Sequence, residues 1–218
     1  LCPIPAQSDA LNYLLKVASL SDAQIVLTGH SKGGNLACYA YLMAPKELKE
    51  RIISVYSFDG PGLNEAILGS ELINHDDKVF HYIPYESVIG GIYGSPAHKI
   101  VVSSRAHLLD QHLLYNWRVS PSGLFLKEER MSPFLERMEE YFNVWVKEIS
   151  PSERELLVDS IYELTLSSDI PNAVALVKRK ATSLKRIYSE YKKLDSEKRK
   201  QLSGLFVSLK HTLYEGLK

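Results

Sequence analysis

Cysteine is scarce in this chain, and long apolar runs are missing from it. The 218 residues include only two cysteines, Cys2 and Cys38, so no disulfide framework is available and a reducing compartment is expected. No segment approaches the roughly 18 consecutive apolar residues of a membrane-spanning helix, and no signal-peptide pattern stands at the start. The sequence therefore predicts a cytoplasmic protein without a transmembrane segment.

Net charge is also absent, but the charges are unevenly placed. The 26 basic and 26 acidic residues balance, and a hydrophobic share of 45% excludes a disordered or collagen-like chain. Residues 119–170 hold 5 basic and 11 acidic residues, whereas residues 171–218 hold 12 basic and 4 acidic ones. A solvated helix face that balances the acidic stretch explains the basic segment most simply. The alternatives are a partner-binding surface and peripheral contact with an anionic membrane.

Signatures for metal ions, nucleotides and nucleic acids are missing as well. His75, Asp76 and Asp77 are most simply a polar turn, and Gly90-Gly91 lacks the preceding strand and following helix of a dinucleotide-binding loop. The 13 tyrosines show no spacing typical of base stacking. We therefore expect no cofactor, no metal ion and no nucleic-acid partner.

The hydrophobic pattern predicts an α/β fold followed by helices. Short apolar runs read as strands at 25–28, 52–58, 79–83 and 100–103, and helical patterns separate the first of them. Strands of this kind favour a parallel sheet with both faces covered. From about residue 119 the pattern becomes almost wholly helical, with helices expected from 132, 150, 171 and 195. We predict a first domain at 1–118 and a helical appendage at 119–218.

The strongest chemical motif is Gly29-His30-Ser31-Lys32-Gly33, followed by Gly34. The strand at 25–28 runs directly into it and a helical pattern follows, which is the context of a nucleophile elbow. On such a sharp turn the residues two positions from the serine must lack bulk, and both are glycine. The Lys32 N–H, at the start of the helix, is placed to stabilise an oxyanion. The alternative is a glycine-rich turn with an unreactive serine.

The segment IVLTGHSKGGNLACYA, residues 25–40, resembles the elbow of lipase-like α/β-hydrolases and the GHSxGG form of the class 3 lipases. It is closest to an uncharacterised bacterial family of predicted lipase-like hydrolases that also has lysine after the serine. The resemblance continues in VYSFDGPG (55–62), IPYESVIGG (83–91), Gln111-His112 with Trp117, and the helices after Pro151. It implies an α/β-hydrolase-like sheet and hydrolysis of a small-molecule or lipid ester through an acyl-serine.

A serine nucleophile needs a histidine as general base, and α/β-hydrolases place it last in the chain order. The candidates that follow the final strands are His98, His107 and His112. His30 lies inside the elbow and is expected to support it, and His75 and His81 precede the candidate acids or lie within a strand, so these three rank low. His112 is the preferred base because Asp110-Gln111-His112 belongs to the family resemblance. His107 is the second choice, and a capping or surface role is the non-catalytic alternative for His112.

Two carboxylates are candidates for the acid that orients the histidine. Asp59 ends the strand at 52–58 and begins a tight turn, and Glu86 follows the next strand. Both stand at carboxyl ends of strands, where sites gather in open α/β sheets. Asp59 is preferred because it lies in the more family-like motif, although an Asx-type turn is its structural alternative.

The elbow lies unusually early for an α/β-hydrolase, since only one helix precedes it. The chain opens on Leu1, and we expect it to be the C-terminal part of a hydrolase domain that lacks the N-terminal strands and the loop with the second oxyanion donor. Another polypeptide that completes the sheet and a truncated gene product are both compatible with this pattern. The alternative function is a catalytically silent hydrolase-fold module that binds a partner; oligomeric state is left open.

Overall fold

A computed structural model describes residues 4–63, 77–93, 98–168 and 180–217. The chain divides into two compact units, Leu1–Glu139 and Glu140–Lys218. Several positions discussed above lie outside the described residues: Cys2, His75, Asp76, the side chain of His98, and residues 171–179.

The first unit is an α/β structure with a four-stranded parallel sheet, which confirms the predicted fold class. Its strands, in their order across the sheet, are β1 (Ile25–His30), β2 (Ile52–Phe58), β3 (Val79–Pro84) and β4 (His98–Val102). Its helices before β2 are α1 (Pro5–Ala18), α2 (Lys32–Met43) and α3 (Lys46–Arg51). The strands agree with the four apolar runs in the sequence, within two residues at their ends.

Each face of the sheet has its own kind of cover. On one face, α2 packs on β1 and β2 and α1 packs on α2, and Ile52 and Val55 of β2 are fully buried there. The other face carries a cluster of aromatic rings in stacked, tilted and edge contacts: Tyr56, Phe58, Phe80, Tyr82, Trp117 and Phe125. Through this aromatic cluster, Trp117 and Phe125, which follow β4, pack against β2 and β3 in the middle of the sheet.

Residues 119–131 remain with the sheet although their composition groups them with the helices. Antiparallel bridges join Val102 to Lys127 and Ser104 to Trp117. The compact first unit consequently extends to Glu139. The domain boundary at 118/119 stays a prediction drawn from composition alone.

The second unit is helical, and its helices that start at Pro151 and Ser196 follow the capping signals in the sequence, whereas the start predicted at Pro171 lies outside the described residues. Helix α4 (Pro133–Glu148) begins in the first unit and ends in the second, where α5 (Pro151–Ser167), α6 (Lys180–Lys193) and α7 (Ser196–Leu217) follow. Ser150 and Glu153 form a reciprocal capping box at α5. The core contains Trp145, Val146, Ile149 and Leu205. Among the helices that the structure describes, none is long and apolar enough to cross a bilayer.

Candidate active site

Ser31 stands on a strained turn between β1 and α2. Its φ of 56° and ψ of −129° are values that a residue with a side chain rarely adopts. The Ser31 N–H donates a hydrogen bond to the Phe58 carbonyl oxygen at 2.9 Å, which fixes the turn to the end of β2. The serine is therefore presented at the carboxyl edge of the parallel sheet, in the strand–turn–helix geometry of a nucleophile elbow.

The glycines around Ser31 differ in how much space they have. A Cβ on Gly29 would lie 2.1 Å from the carbonyl carbon and oxygen of Gly33, and one on Gly34 would lie 2.5 Å from Ser57 Oγ. A Cβ on Gly33 would meet no atom within 4 Å. The expectation that Gly33 must lack bulk is therefore wrong. Gly34 is the residue that must be small instead, because in α2 Gly33 faces open space and Gly34 faces Ser57 of β2.

The Asp59 carboxylate is buried and forms hydrogen bonds through both oxygens. Asp59 is 1% exposed, and its Oδ2 lies 2.7 Å from Nδ1 of His112. Its Oδ1 accepts hydrogen bonds from the Ser87 hydroxyl at 2.5 Å and the Gly90 N–H at 3.1 Å. An ionised carboxylate only accepts, so Nδ1 of His112 carries the proton and the neutral ring has its lone pair on Nε2.

His30 connects the histidine segment to the elbow. His112 ends a short 3₁₀ helix, Leu108–His112, and its carbonyl oxygen accepts a hydrogen bond from Nε2 of His30 at 2.7 Å. The two imidazole rings are 4.6 Å apart between centroids. His30 precedes Ser31 in the chain, so this contact brings His112 to the side of the serine. Within the described ranges no hydrogen bond joins the Ser31 hydroxyl to the His112 ring; such bonds often tighten only when substrate binds.

Glu86 and His107, the second choices for acid and base, also meet each other. Nδ1 of His107 lies 3.2 Å from Oε2 of Glu86, but the His107 side chain is 88% exposed. The same Glu86 oxygen accepts hydrogen bonds from the Leu108 N–H and the Gln111 amide. The contact between His30 and His112 favours the buried Asp59–His112 pair as the one beside Ser31.

Lys32 is the first residue of α2, where helix geometry leaves the backbone N–H without a partner inside the helix. From the sequence, we expect the Lys32 N–H to stabilise an oxyanion because it stands at this helix start, directly after the serine. Asn35, one turn further along α2, donates from Nδ2 to the Gly62 carbonyl oxygen at 2.8 Å and to the Pro61 carbonyl oxygen at 3.2 Å. The side chain of Asn35 thus joins the helix after Ser31 to the turn that begins at Asp59.

Buried polar groups lie beneath the elbow and Asp59. His81 is 1% exposed, and among the described residues neither ring nitrogen has a partner in good hydrogen-bond geometry, although the Gly60 backbone lies near the ring. Burial lowers the pKa of His81 from 6.5 to about 4, although the negative charge of Asp59 opposes this shift. Burial likewise raises the pKa of the Cys38 thiol to about 12 against the effect of a hydrogen bond with Ser57. His81 is therefore neutral at neutral pH.

Three contact residues of the site were not singled out by sequence reasoning: Ser87, Gly90 and Gln111. Ser87 and Gly90 lie in the IPYESVIGG stretch, which was noticed only as a resemblance. A hydroxyl and a glycine after a strand are too common to signal a hydrogen bond to a carboxylate 28 or 31 residues away. Across the ranges that the structure describes, no three His, Cys, Asp or Glu side chains are grouped to hold a metal ion.

Comparison with known proteins agrees with this geometry at the level of the family. The model of the Mbeg1-like family matches residues 1–163, about three quarters of the chain. No curated protein and no solved structure matches the sequence. The match extends from α1 through the elbow, Asp59 and His112 to the second helix of the C-terminal part. The chain therefore belongs to the Mbeg1-like family, a lipase-like family.

Proposed function

We propose that this protein hydrolyses carboxylic esters through an acyl-serine intermediate. The single observation that carries the proposal is the contact between the buried Asp59 and His112, 2.7 Å between Oδ2 and Nδ1, in which His112 also bonds to His30, the residue before a serine on a strained turn. An acid that holds a histidine in one tautomer is what a serine nucleophile requires. The GHSxGG resemblance to class 3 lipases and the lipase-like family support the same chemistry.

In the first half of the reaction, Ser31 Oγ attacks the ester carbonyl carbon and its proton passes to Nε2 of His112. Asp59 keeps the proton on Nδ1 and stabilises the imidazolium that forms. The tetrahedral intermediate then expels the alcohol, which takes the proton from Nε2. This leaves an acyl-Ser31 and a neutral His112.

In the second half, His112 removes a proton from a water molecule as the water oxygen attacks the acyl carbon. The new tetrahedral intermediate expels Ser31 Oγ, which takes the proton back from Nε2 and releases the carboxylic acid. Both intermediates place negative charge on the former carbonyl oxygen, where the Lys32 N–H and the positive end of α2 stabilise it. One donor of this type contributes about 2.7–4 kcal/mol to transition-state stabilisation.

A fluorophosphonate probe, which reacts with activated serines, tests the proposal directly. We expect a single adduct on Ser31 by peptide mapping, and we expect Ser31→Ala and His112→Ala to prevent its formation. His107→Ala is the matched control, since that exposed histidine is also near the end of the sheet, and its labelling should match the parent. Equal loss of labelling in His107→Ala and His112→Ala would contradict the assignment of the base.

The second candidate function is a catalytically silent hydrolase-fold module that binds a partner. One observation favours it: the Ser31 hydroxyl and the His112 ring are not hydrogen bonded in the part of the chain that the structure describes. This candidate predicts no fluorophosphonate adduct and no turnover of p-nitrophenyl butyrate. Labelling of Ser31 would exclude it.

A further inference from the structure

The turn after β3 contacts both members of the Asp59–His112 pair. Glu86, Ser87 and Gly90 lie within five residues of one another in this turn. Ser87 and Gly90 bond to Asp59, whereas Glu86 bonds to the segment that contains His112. Because one short turn reaches both partners, it can set their positions relative to each other.

On the acid side, the turn occupies one oxygen of Asp59 completely. The Ser87 hydroxyl and the Gly90 N–H both donate to Oδ1, and the Gly90 N–H also contacts Ser87 Oγ at 3.0 Å. A Cβ at Gly90 would lie 2.6 Å from this Oδ1, so only glycine allows the backbone to come so close. With Oδ1 held in this way, Oδ2 is directed at Nδ1 of His112.

On the histidine side, Glu86 holds the 3₁₀ helix at both ends. Its Oε2 accepts from the Leu108 N–H at 3.0 Å, where the backbone has a φ of 49°, and from Gln111 Nε2 at 2.9 Å. Gln111 is 3% exposed and its Oε1 accepts from the Glu86 N–H at 3.0 Å, so these two residues bond to each other twice. The Gln111 carbonyl oxygen also accepts from the buried Trp117 indole at 2.7 Å. His112 follows Gln111 directly, so this anchoring fixes its backbone.

We propose that Glu86 and Ser87 are positioning residues for the Asp59–His112 pair: Ser87 orients the carboxylate, and Glu86 anchors the segment of the histidine. This inference rests on the proposed function, and it assigns Glu86 a role other than that of the catalytic acid. The acceptor oxygen of Glu86 is what the anchor needs, since its two firm partners, an amide N–H and an amide NH₂, are neutral donors. A glutamine at position 86 retains such an oxygen and an alanine does not.

The test compares Glu86→Ala, Glu86→Gln and Ser87→Ala with the parent, and Glu129→Ala is the matched control on an exposed glutamate of the same unit. The first readout is the rate of fluorophosphonate labelling at Ser31. The second is the downfield proton NMR signal of a histidine Nδ1–H bonded to a carboxylate, assigned by its loss in His112→Ala. This signal reports the Asp59–His112 contact whether or not Ser31 is reactive.

We expect Glu86→Ala and Ser87→Ala to label about 10- to 100-fold more slowly, as for a displacement of catalytic groups by up to about 1 Å. Both should weaken or lose the downfield signal, and with p-nitrophenyl butyrate kcat should fall while KM changes little. Glu86→Gln and Glu129→Ala should keep the parent rate and the parent signal. Parent-like labelling in Glu86→Gln would show that Glu86 acts as a hydrogen-bond acceptor that anchors the segment, because a catalytic carboxylate could not be replaced by an amide.

Two results would overturn the inference. One is a parent-like labelling rate and downfield signal in both Glu86→Ala and Ser87→Ala; the other is a Glu86→Gln protein as inactive as Asp59→Asn. If Glu86→Ala does not fold, Glu86→Asp, which keeps the charge but has a shorter reach, is expected to show the same losses. Absence of labelling in the parent would remove the proposed function, and the NMR signal would still decide the positioning roles.

Discussion

The Asp59 carboxylate is the residue on which the proposed chemistry depends most directly. It lies at the end of β2 with a φ of 47° and is almost inaccessible to solvent. All of its hydrogen bonds come from residues at least 28 positions further along the chain. The Asx-turn alternative would have bonded this side chain to Gly60–Gly62, and the structure instead bonds it to Ser87, Gly90 and His112.

We predict that Asp59→Asn lowers kcat for an acyl ester by about 10³- to 10⁴-fold. The amide can donate to Nδ1, which favours the wrong tautomer of His112 and no longer stabilises an imidazolium. Steady-state kinetics with p-nitrophenyl butyrate would measure this loss, with Glu86→Gln as the matched carboxylate-to-amide change. The reverse ranking, with Glu86→Gln the more damaging change, would transfer the role of the acid to Glu86.

Sequence reasoning at this scale could name candidates but could not rank them by geometry. Asp59 and Glu86 both follow strands, and His107 and His112 both follow β4. Their difference arises from burial: the Asp59–His112 side chains are 1% and 19% exposed, whereas His107 is 88% exposed. Burial depends on which distant segments cover each side chain, and the local pattern does not carry that information.

At the scale of elements, the β1–turn–α2 unit follows closely from the local sequence. A β-branched strand, a glycine, a serine and a helix-forming segment adjoin in the chain, so their geometry is fixed over short distances. The helix starts at 133, 151 and 196 were likewise predicted from Ser-Pro and Asp signals. The need for a small residue at Gly29 was predicted as well, whereas the need at Gly34 was not, because it depends on Ser57 of β2, which packs against α2.

We predict opposite results for alanine at neighbouring glycines of the elbow. Gly29→Ala places Cβ against the backbone of Gly33 and should cost about 3 kcal/mol or more in the free energy of unfolding, with loss of Ser31 labelling. Gly33→Ala enters open space in the first turn of α2 and should change stability by less than about 1 kcal/mol. Urea denaturation of both variants measures the difference. An equal cost at the two positions would show that the turn is packed differently.

A second prediction at this scale concerns the thiol on α2. Cys38 is 6% exposed, and burial raises its pKa to about 12, so little reactive thiolate is present at pH 8. Iodoacetamide should leave Cys38 unmodified in the native protein and modify it fully in denaturant, as read by peptide mapping. Modification of Cys38 in the native protein at the rate of a free cysteine would contradict this burial.

For the whole molecule, the neutral state of His81 makes stability depend on pH. The pKa of His81 is about 4 when folded and near 6.5 when unfolded, so the unfolded chain binds the extra proton between these values. The stability contributed by neutral His81 is therefore complete above pH 6.5 and is lost as the pH falls towards 4. The size of this loss is about 3 kcal/mol.

We expect His81→Phe, which keeps an aromatic ring but cannot be protonated, to reduce this acid sensitivity. Between pH 6.5 and pH 4 its unfolding free energy should fall by about 3 kcal/mol less than that of the parent, measured by urea denaturation at each pH. His211→Phe, an exposed histidine on α7, is the matched control and should follow the parent curve. Parallel curves for all three proteins would mean that folding does not lower the pKa of His81.

The charge distribution along the whole chain gives the segment 171–218 an excess of basic residues. Residues 171–179 of this segment lie outside the described part of the structure. The sequence-based interpretation, a solvated face that balances the acidic stretch before it, stays a prediction. Where α6 and α7 are described, Lys198 pairs with Glu163 and Lys193 pairs with Glu190. Surface pairs of this type contribute little to stability.

The sequence by itself determined the α/β class, the parallel strands, the serine on its turn and the capped helices, because periodicity and turn chemistry act over a few neighbouring residues. Only the tertiary structure decided which acid meets which histidine, that Gly34 rather than Gly33 must be small, and that the turn after β3 reaches both Asp59 and the segment of His112. Asp59 and His112 are 53 residues apart in the chain. Contacts over such distances depend on how strands and loops pack, and no local pattern specifies that packing.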